Sequence, residues 1–215
     1  MEKRKKNVGL KKIMKKKHLE IFLQKIPVHP NPKYELEQYS TPATIAADII
    51  YNAYHIGDIK NKEILDLGCG TGIFSIAAAT MNAKKVTGVD IDKKSIEIAK
   101  KQAEKNNLEI KFINKDISRI NIKADTVIMN PPFGAQKSNR KADRKFLEKA
   151  NKSAKIIYTL HLKRTDEFIE QITKSMNTAI DFKKTYEFPI KSRYSFHEKK
   201  INKIQVNLYR MINKR

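Results

Sequence analysis

From Glu63 onward, short apolar runs alternate with stretches of helical periodicity: Ile64–Leu67, Val86–Val89, Ile110–Ile113 and Thr126–Met129 are apolar, while Ile73–Ala79 and Lys94–Lys105 lie between them. Short apolar runs separated by amphipathic helices belong to strands buried on both faces, which calls for a parallel sheet sandwiched between helices. A helix over Lys141–Asn151, a strand over Lys155–Leu160 and a helix over Asp166–Met176 continue the pattern. The end differs, because Ile180–Pro189 and Ile204–Met211 form two long strands around the polar, basic Lys191–Lys203, an antiparallel pair that closes the sheet. The fold class is therefore α/β, and 215 residues suit one domain with a substantial core.

Ahead of this alternation, residues 1–17 hold nine Lys and Arg side chains around Val8, Leu10, Ile13 and Met14, and Pro27, Pro30 and Pro32 then interrupt helix formation. Residues 1–35 are expected to be a basic arm and linker, with the domain proper spanning 36–215. Thr41 has the character of a helix cap, Pro42 suits the first helical position, and Ile45, Ala46, Ile49, Ile50 and Ala53 recur at helical spacing until Gly57. With 45 Lys+Arg against 23 Asp+Glu the formal charge is +22, a field that draws polyanions, nucleic acid above all. Base bias in the genome or adaptation to heat is the competing reason for such a composition. Lys11, Lys12, Lys15, Lys16 and Lys17 in the arm, and Lys137 further on, are the expected phosphate contacts. Cys69 is the sole cysteine, so neither a disulfide framework nor a Cys-based zinc site is available, and His18, His29, His55 and His161 lack metal-ligand spacing. No metal is expected. No apolar run approaches the ~18 residues of a membrane span, and a cytoplasmic setting fits.

Asp66-Leu67-Gly68-Cys69-Gly70-Thr71-Gly72 stands where the first strand turns into its helix, the place at which open α/β sheets hold nucleotide-like ligands. A dinucleotide loop reads G-x-G-x-x-G and sets a pyrophosphate on the helix N-terminus. Here the spacing is Gly68-x-Gly70-x-Gly72, with an acid at Asp66 before it. S-adenosylmethionine has no phosphate but does carry an ammonium group, which that carboxylate can offset directly or through water, so the loop favours a methyl donor over NAD. Asp90 ends the second strand in Val89-Asp90-Ile91-Asp92, at the distance where a carboxylate accepts both ribose hydroxyls. Asp92 fits the capping of the next helix better, since Lys93 opens the helical run. Asp116-Ile117 follows the third strand, where the acid can accept an adenine amine and Ile117 can cover the ring; a plain surface-loop Asp is the alternative.

Asn130-Pro131-Pro132-Phe133 closes the apolar run Thr126–Met129. An exocyclic amine on a base is a poor nucleophile because its lone pair is delocalised into the ring. The Asn130 oxygen and the Pro131 carbonyl can each accept one amine N–H and draw the nitrogen towards tetrahedral geometry, while Phe133 stacks on the ring. Pro131 and Pro132 hold the loop extended and remove competing donors. An ordinary Pro-rich turn after a strand would have the same four residues and no chemistry.

Together these motifs resemble class I, Rossmann-like methyltransferases, and within them the methyltransferase-like protein 5 family of ribosomal RNA adenine-N6 methyltransferases, from about Lys11 to the end of the chain. Leu36-Glu37-Gln38-Tyr39 with Thr41, and Tyr194 with Phe196-His197-Lys199-Lys200, are the narrowest matches; the family usually has Pro where Ser40 stands, and Thr soon after Gly134 where this chain has Ala135-Gln136-Lys137. The resemblance implies a seven-stranded sheet in the order 3-2-1-4-5-7-6 with an antiparallel last strand, and a segment Gln38–Thr41 folded over the methionine end of the donor. It also implies N6-methylation of an adenine in small-subunit ribosomal RNA and a small zinc-binding activator protein, whose zinc would belong to the partner; strand 110–114 at the sheet edge is its expected dock.

Aromatic and basic residues interleave in Arg193, Tyr194, Phe196, His197, Lys199 and Lys200, a composition able to stack on unpaired bases and hold phosphates, or alternatively a solvated hairpin loop. Guanine-N2 methylation of rRNA or tRNA, glutamine methylation of a protein, and a catalytically silent RNA-binding protein on the same scaffold are the competing functions. Methylation at a pyrimidine carbon is disfavoured, because it commonly needs a cysteine nucleophile and Cys69 is committed to the glycine loop.

Overall fold

The structure, a computed structural model, describes residues 14–33, 36–133, 142–191 and 201–214. Among these residues the elements run α1 (Lys16–Leu23), α2 (Ala43–Ile56), β1 (Glu63–Leu67), α3 (Ile73–Thr80), β2 (Lys85–Asp90), α4 (Lys93–Lys105), β3 (Ile110–Asn114) and β4 (Thr126–Met129). They continue with α5 (Ala142–Ser153), β5 (Ile156–Leu162), α6 (Asp166–Ser175), β6 (Thr178–Lys191) and β7 (Ile201–Asn213).

The described strands form one seven-stranded sheet in the order β3-β2-β1-β4-β5-β7-β6. Pairing is parallel from β3 through β5 and antiparallel on both sides of β7, the arrangement that the resemblance implies. Because strand side chains alternate in direction, neighbouring residues enter different cores. Ile64, Ile128, Tyr158 and Leu160 pack with α2 and α3, whereas Leu65, Val127, Met129 and Ile157 pack with Leu147, Ala150, Ile169 and Ile172 of α5 and α6. A continuous apolar run such as Thr126–Met129 is therefore required, since every position of β4 is buried.

Two expectations about the N-terminal part need correction. The stretch from Lys16 onward is no appended arm: α1 buries Leu19 and Leu23 in the same core as α2 and α3. Each fully buried leucine contributes about 1.5–3 kcal/mol, enough to bind a short helix to the body. Thr41 is likewise not the cap of α2. The helix begins at Ala43 with Pro42 as its boundary residue, and Thr41 turns its hydroxyl elsewhere, as described below. The other end of α2 is as expected, with Gly57 in the left-handed conformation at φ 95°.

Candidate active site

The parallel strands β1, β2 and β4 end side by side, with Leu67 opposite both Val89 and Met129. Past Leu67 the backbone turns sharply, and the amides of Gly68 and Cys69 both donate to the Val89 carbonyl, at 2.8 and 3.0 Å. Gly70 and Gly72 have φ of 52° and 88°, a region costly for residues with a Cβ. At Gly72 a Cβ would also meet Ala99 Cβ at 3.1 Å, so this glycine serves helix packing, whereas at Gly70 nothing lies within 4 Å and the loop faces open space. Cys69 is buried, and burial pushes its thiol well above the ordinary range, so it stays protonated and inert.

Asp66 lies beneath this loop, 1% exposed. Its Oδ2 accepts from Ser75 N at 2.9 Å and Ser75 Oγ at 2.6 Å, which anchors the start of α3. Its Oδ1 is buried without a hydrogen-bond partner among the described residues. Burial pushes the carboxyl up to about 7 in spite of the Ser75 hydrogen bonds. Asp90 is raised by burial as well, and its two oxygens each accept one backbone amide, Gly70 N and Asp92 N, both at 2.8 Å. One carboxylate thus shapes the glycine loop and the turn after β2 together, and each oxygen keeps further acceptor capacity. Ile91 beside it is 54% exposed. Asp92 caps α4 through Ser95 N at 3.0 Å, as its position before Lys93 suggests.

Asp116 is more occupied than its sequence position reveals: Oδ1 accepts from Ser118 N and Oγ, and Oδ2 accepts from Lys145 at 2.9 Å. Burial opposes ionisation there, but these hydrogen bonds hold the carboxyl down at about 2. Ile117 packs in the core with Leu65 and Val89.

On the other side of β1, Asn130 follows β4, and its Nδ2 donates to Thr41 Oγ1 at 3.0 Å. That contact orients the amide and leaves Asn130 Oδ1 buried, with no partner among the described residues. Pro131 is buried, and Phe133 is 6% exposed, its ring edge-to-face with Phe188 at 5.7 Å and stacked with Tyr39 at 6.1 Å and 17°. The segment before α2 is pinned to α4: Gln38 Oε1 accepts from Lys33 N at 2.7 Å, Gln38 Nε2 reaches Ser95 Oγ at 3.5 Å, and Lys33 Nζ donates to Asp92 at 2.7 Å. His29 Nε2 lies 3.2 Å from the same Asp92 carboxylate. Lys33, Asp92 and Ser95 thus hold Gln38–Thr41 across the ends of β1 and β4, a role with no sequence signal, because the partners belong to separate segments.

Residues 49–160 match the model of the methyltransferase small domain family. An uncharacterized protein of Methanocaldococcus jannaschii is 40% identical over 93% of this chain and 94% of its own. The rRNA N(6)-adenosine-methyltransferase METTL5 of Danio rerio is 36% identical over 92% of this chain and 98% of its own. The chain belongs to the METTL5 family. Among solved structures, a proposed RNA methyltransferase from Pyrococcus horikoshii superposes on this METTL5-family chain with a TM-score of 0.85 at 35% identity, covering 94% of this chain and 98% of that one. The METTL5-family chain is accordingly an S-adenosylmethionine-dependent methyltransferase.

The residues present suit that donor. The buried Asp66 Oδ1 is an acceptor without a partner among the described residues, and a Cβ at Gly70 in the loop above it would meet nothing within 4 Å. Of the basic residues expected to meet RNA, Lys15 and Lys17 are exposed, while Lys16 is bound to Asp48 at 2.8 Å. Lys11, Lys12, Lys137, Arg193, Tyr194, Phe196, His197, Lys199 and Lys200 lie outside the described residues. His161, which has no expected role, is buried between Asp143 and Thr159, each 2.8 Å from a ring nitrogen, and ties α5 to β5. No helix of the described residues is long and apolar enough to cross a membrane.

Proposed function

We propose that the chain methylates the N6 amine of an adenine in small-subunit ribosomal RNA. The observation that carries this reading is Asn130: its amide nitrogen is committed to Thr41, so its buried oxygen is presented as an unpaired acceptor beside Phe133. An acceptor held in this way takes one N–H of an aromatic amine, the Pro131 carbonyl takes the other, and the nitrogen lone pair is freed from the ring. Phe133 covers the face of the base, its ring fixed by Phe188. S-adenosylmethionine, when bound, supplies a methyl group on a cationic sulfur. Asp66 Oδ1 would offset the ammonium of the donor, Asp90 would accept from the ribose hydroxyls, and Ile91 and Ile117 would flank the adenine end, with Asp116 at its amine. Gln38, Tyr39 and Thr41 would cover the methionine end. After transfer, the proton of the methylated nitrogen leaves to water or to the two acceptor oxygens, so no strong base is needed.

The rRNA N6-adenosine activity named for the Danio rerio relative supports adenine as the target. The sequence resemblance also implies a small zinc-binding activator, and β3 suits its docking as one of the two edges of the sheet, pairing only with β2 among the described strands. Nucleoside mass spectrometry of small-subunit rRNA incubated with the enzyme and labelled donor tests the function: N6-methyladenosine is expected, and N2-methylguanosine as main product would overturn the adenine assignment.

A further inference from the structure

Beside the Asn130–Phe133 motif the molecule has a cavity of about 720 Å³ whose lining includes Tyr39, Phe133, Leu162, Lys163, Arg164 and Gln205. That volume falls within the range of about 300–1,000 Å³ typical of small-ligand sites. Flat rings and apolar side chains beside two cations are the chemistry of a nucleotide, a base on the rings and a phosphate on the charges.

Lys163 and Arg164 are exposed, and neither side chain makes an ion pair or hydrogen bond among the described residues. Nearby cations differ: Lys183 is engaged by Asp166 at 3.0 Å, and Lys203 by Glu187 at 2.7 Å. The free pair is also held in place. It lies on the 3-10 turn Lys163–Thr165 directly after β5, where Thr165 Oγ1 donates to the Leu162 carbonyl at 2.7 Å. Since β5 runs parallel to β4 with Thr159 opposite Met129, this turn stands at the same end of the sheet as Asn130.

We propose that Lys163 and Arg164 form a phosphate clamp for the RNA strand at the target nucleotide, a reading that rests on the RNA-methyltransferase function above. Arg164 supplies the planar fork that meets two phosphate oxygens, and Lys163 a second point charge.

The test compares Lys163→Ala/Arg164→Ala with Lys60→Ala/Lys105→Ala, an equal removal of charge at exposed positions towards the opposite end of the sheet, where β1 begins and α4 stops. Affinity for small-subunit rRNA fragments is measured against salt, together with KM for RNA and affinity for S-adenosylmethionine. The clamp variant is expected to lower the salt slope by about 1.4, roughly 0.7 for each phosphate no longer neutralised. Its RNA KM should rise about tenfold, the effect of removing a charge-assisted hydrogen bond, with donor affinity intact. A slope that is unchanged, or that falls equally in the remote variant, overturns the clamp. A slope that falls as expected in an enzyme whose product is not methyladenosine supports the clamp and overturns the adenine reading instead.

Discussion

Asp66→Asn should remove one pH-dependent contribution to stability. The carboxyl is 1% exposed and has been pushed from 3.8 to about 7 by burial, so the folded chain prefers it protonated while the unfolded chain releases the proton near pH 4. With the folded value raised, the stability associated with the protonated form is fully present below about pH 4 and is lost as pH rises to about 7. Roughly three pH units at about 1.4 kcal/mol each give about 4 kcal/mol. Asparagine keeps the acceptor oxygen for Ser75 N and Oγ but never ionises. Carboxyls held low, such as Asp48 and Asp116, titrate alike in both proteins and cancel in the difference. Denaturant unfolding of the donor-free enzyme at pH 4.5 and pH 7.5 should therefore show the wild type losing about 3–4 kcal/mol relative to Asp66→Asn. Saturating donor should restore much of that at pH 7.5 in the wild type alone, because its ammonium favours the carboxylate. Parallel pH profiles for the two proteins would show that Asp66 is not the buried acid described.

Asn130→Ala should retain donor affinity in calorimetric titration while turnover falls about a hundredfold, the effect of removing one positioned polar group at the reacting atom; wild-type turnover would remove Asn130 from the mechanism. Asp90→Ala should weaken donor binding by about 1–3 kcal/mol, since it removes the charged acceptor and also frees the Gly70 amide; titration with S-adenosylmethionine reads it directly. Deleting residues 1–13, which leaves α1 whole, should flatten the salt dependence of RNA binding by about 0.7 for each phosphate that the arm neutralises, and an unchanged slope would reduce the arm to a solubility feature. Asn114→Pro on β3 should abolish any stimulation by an activator strand, as judged by activity with and without the partner, because the Lys115 amide turns to the Asp90 carbonyl of β2, which leaves the Asn114 amide on the open edge, and proline cannot donate to an added ladder.

The order of strands and helices was legible in the sequence because buried parallel strands demand unbroken apolar runs and their helices demand a 3.6-residue period, both local patterns. The glycine loop with Asp66, the Asp90 turn and Asn130–Phe133 were legible for the same reason: each is a contiguous segment at the end of a strand, and the sheet brings strand ends together. Other features depend on which distant segments meet. Thr41 has the sequence of a helix cap, yet its hydroxyl serves Asn130, 89 residues away, and that contact decides which end of the amide is free. Tyr39 lies over Phe133, Lys33 and Gln38 are tied to the start of α4, and α1 belongs to the core although its sequence opens with lysines. Lys163 and Arg164 are an ordinary basic pair until the parallel register of β4 and β5 sets them beside the motif that β4 carries. Periodicity and loop chemistry are properties of neighbouring residues, so the chain alone displays them; the orientation of Asn130 and the lining of its cavity arise only when sheet register and helix packing bring separate segments into contact.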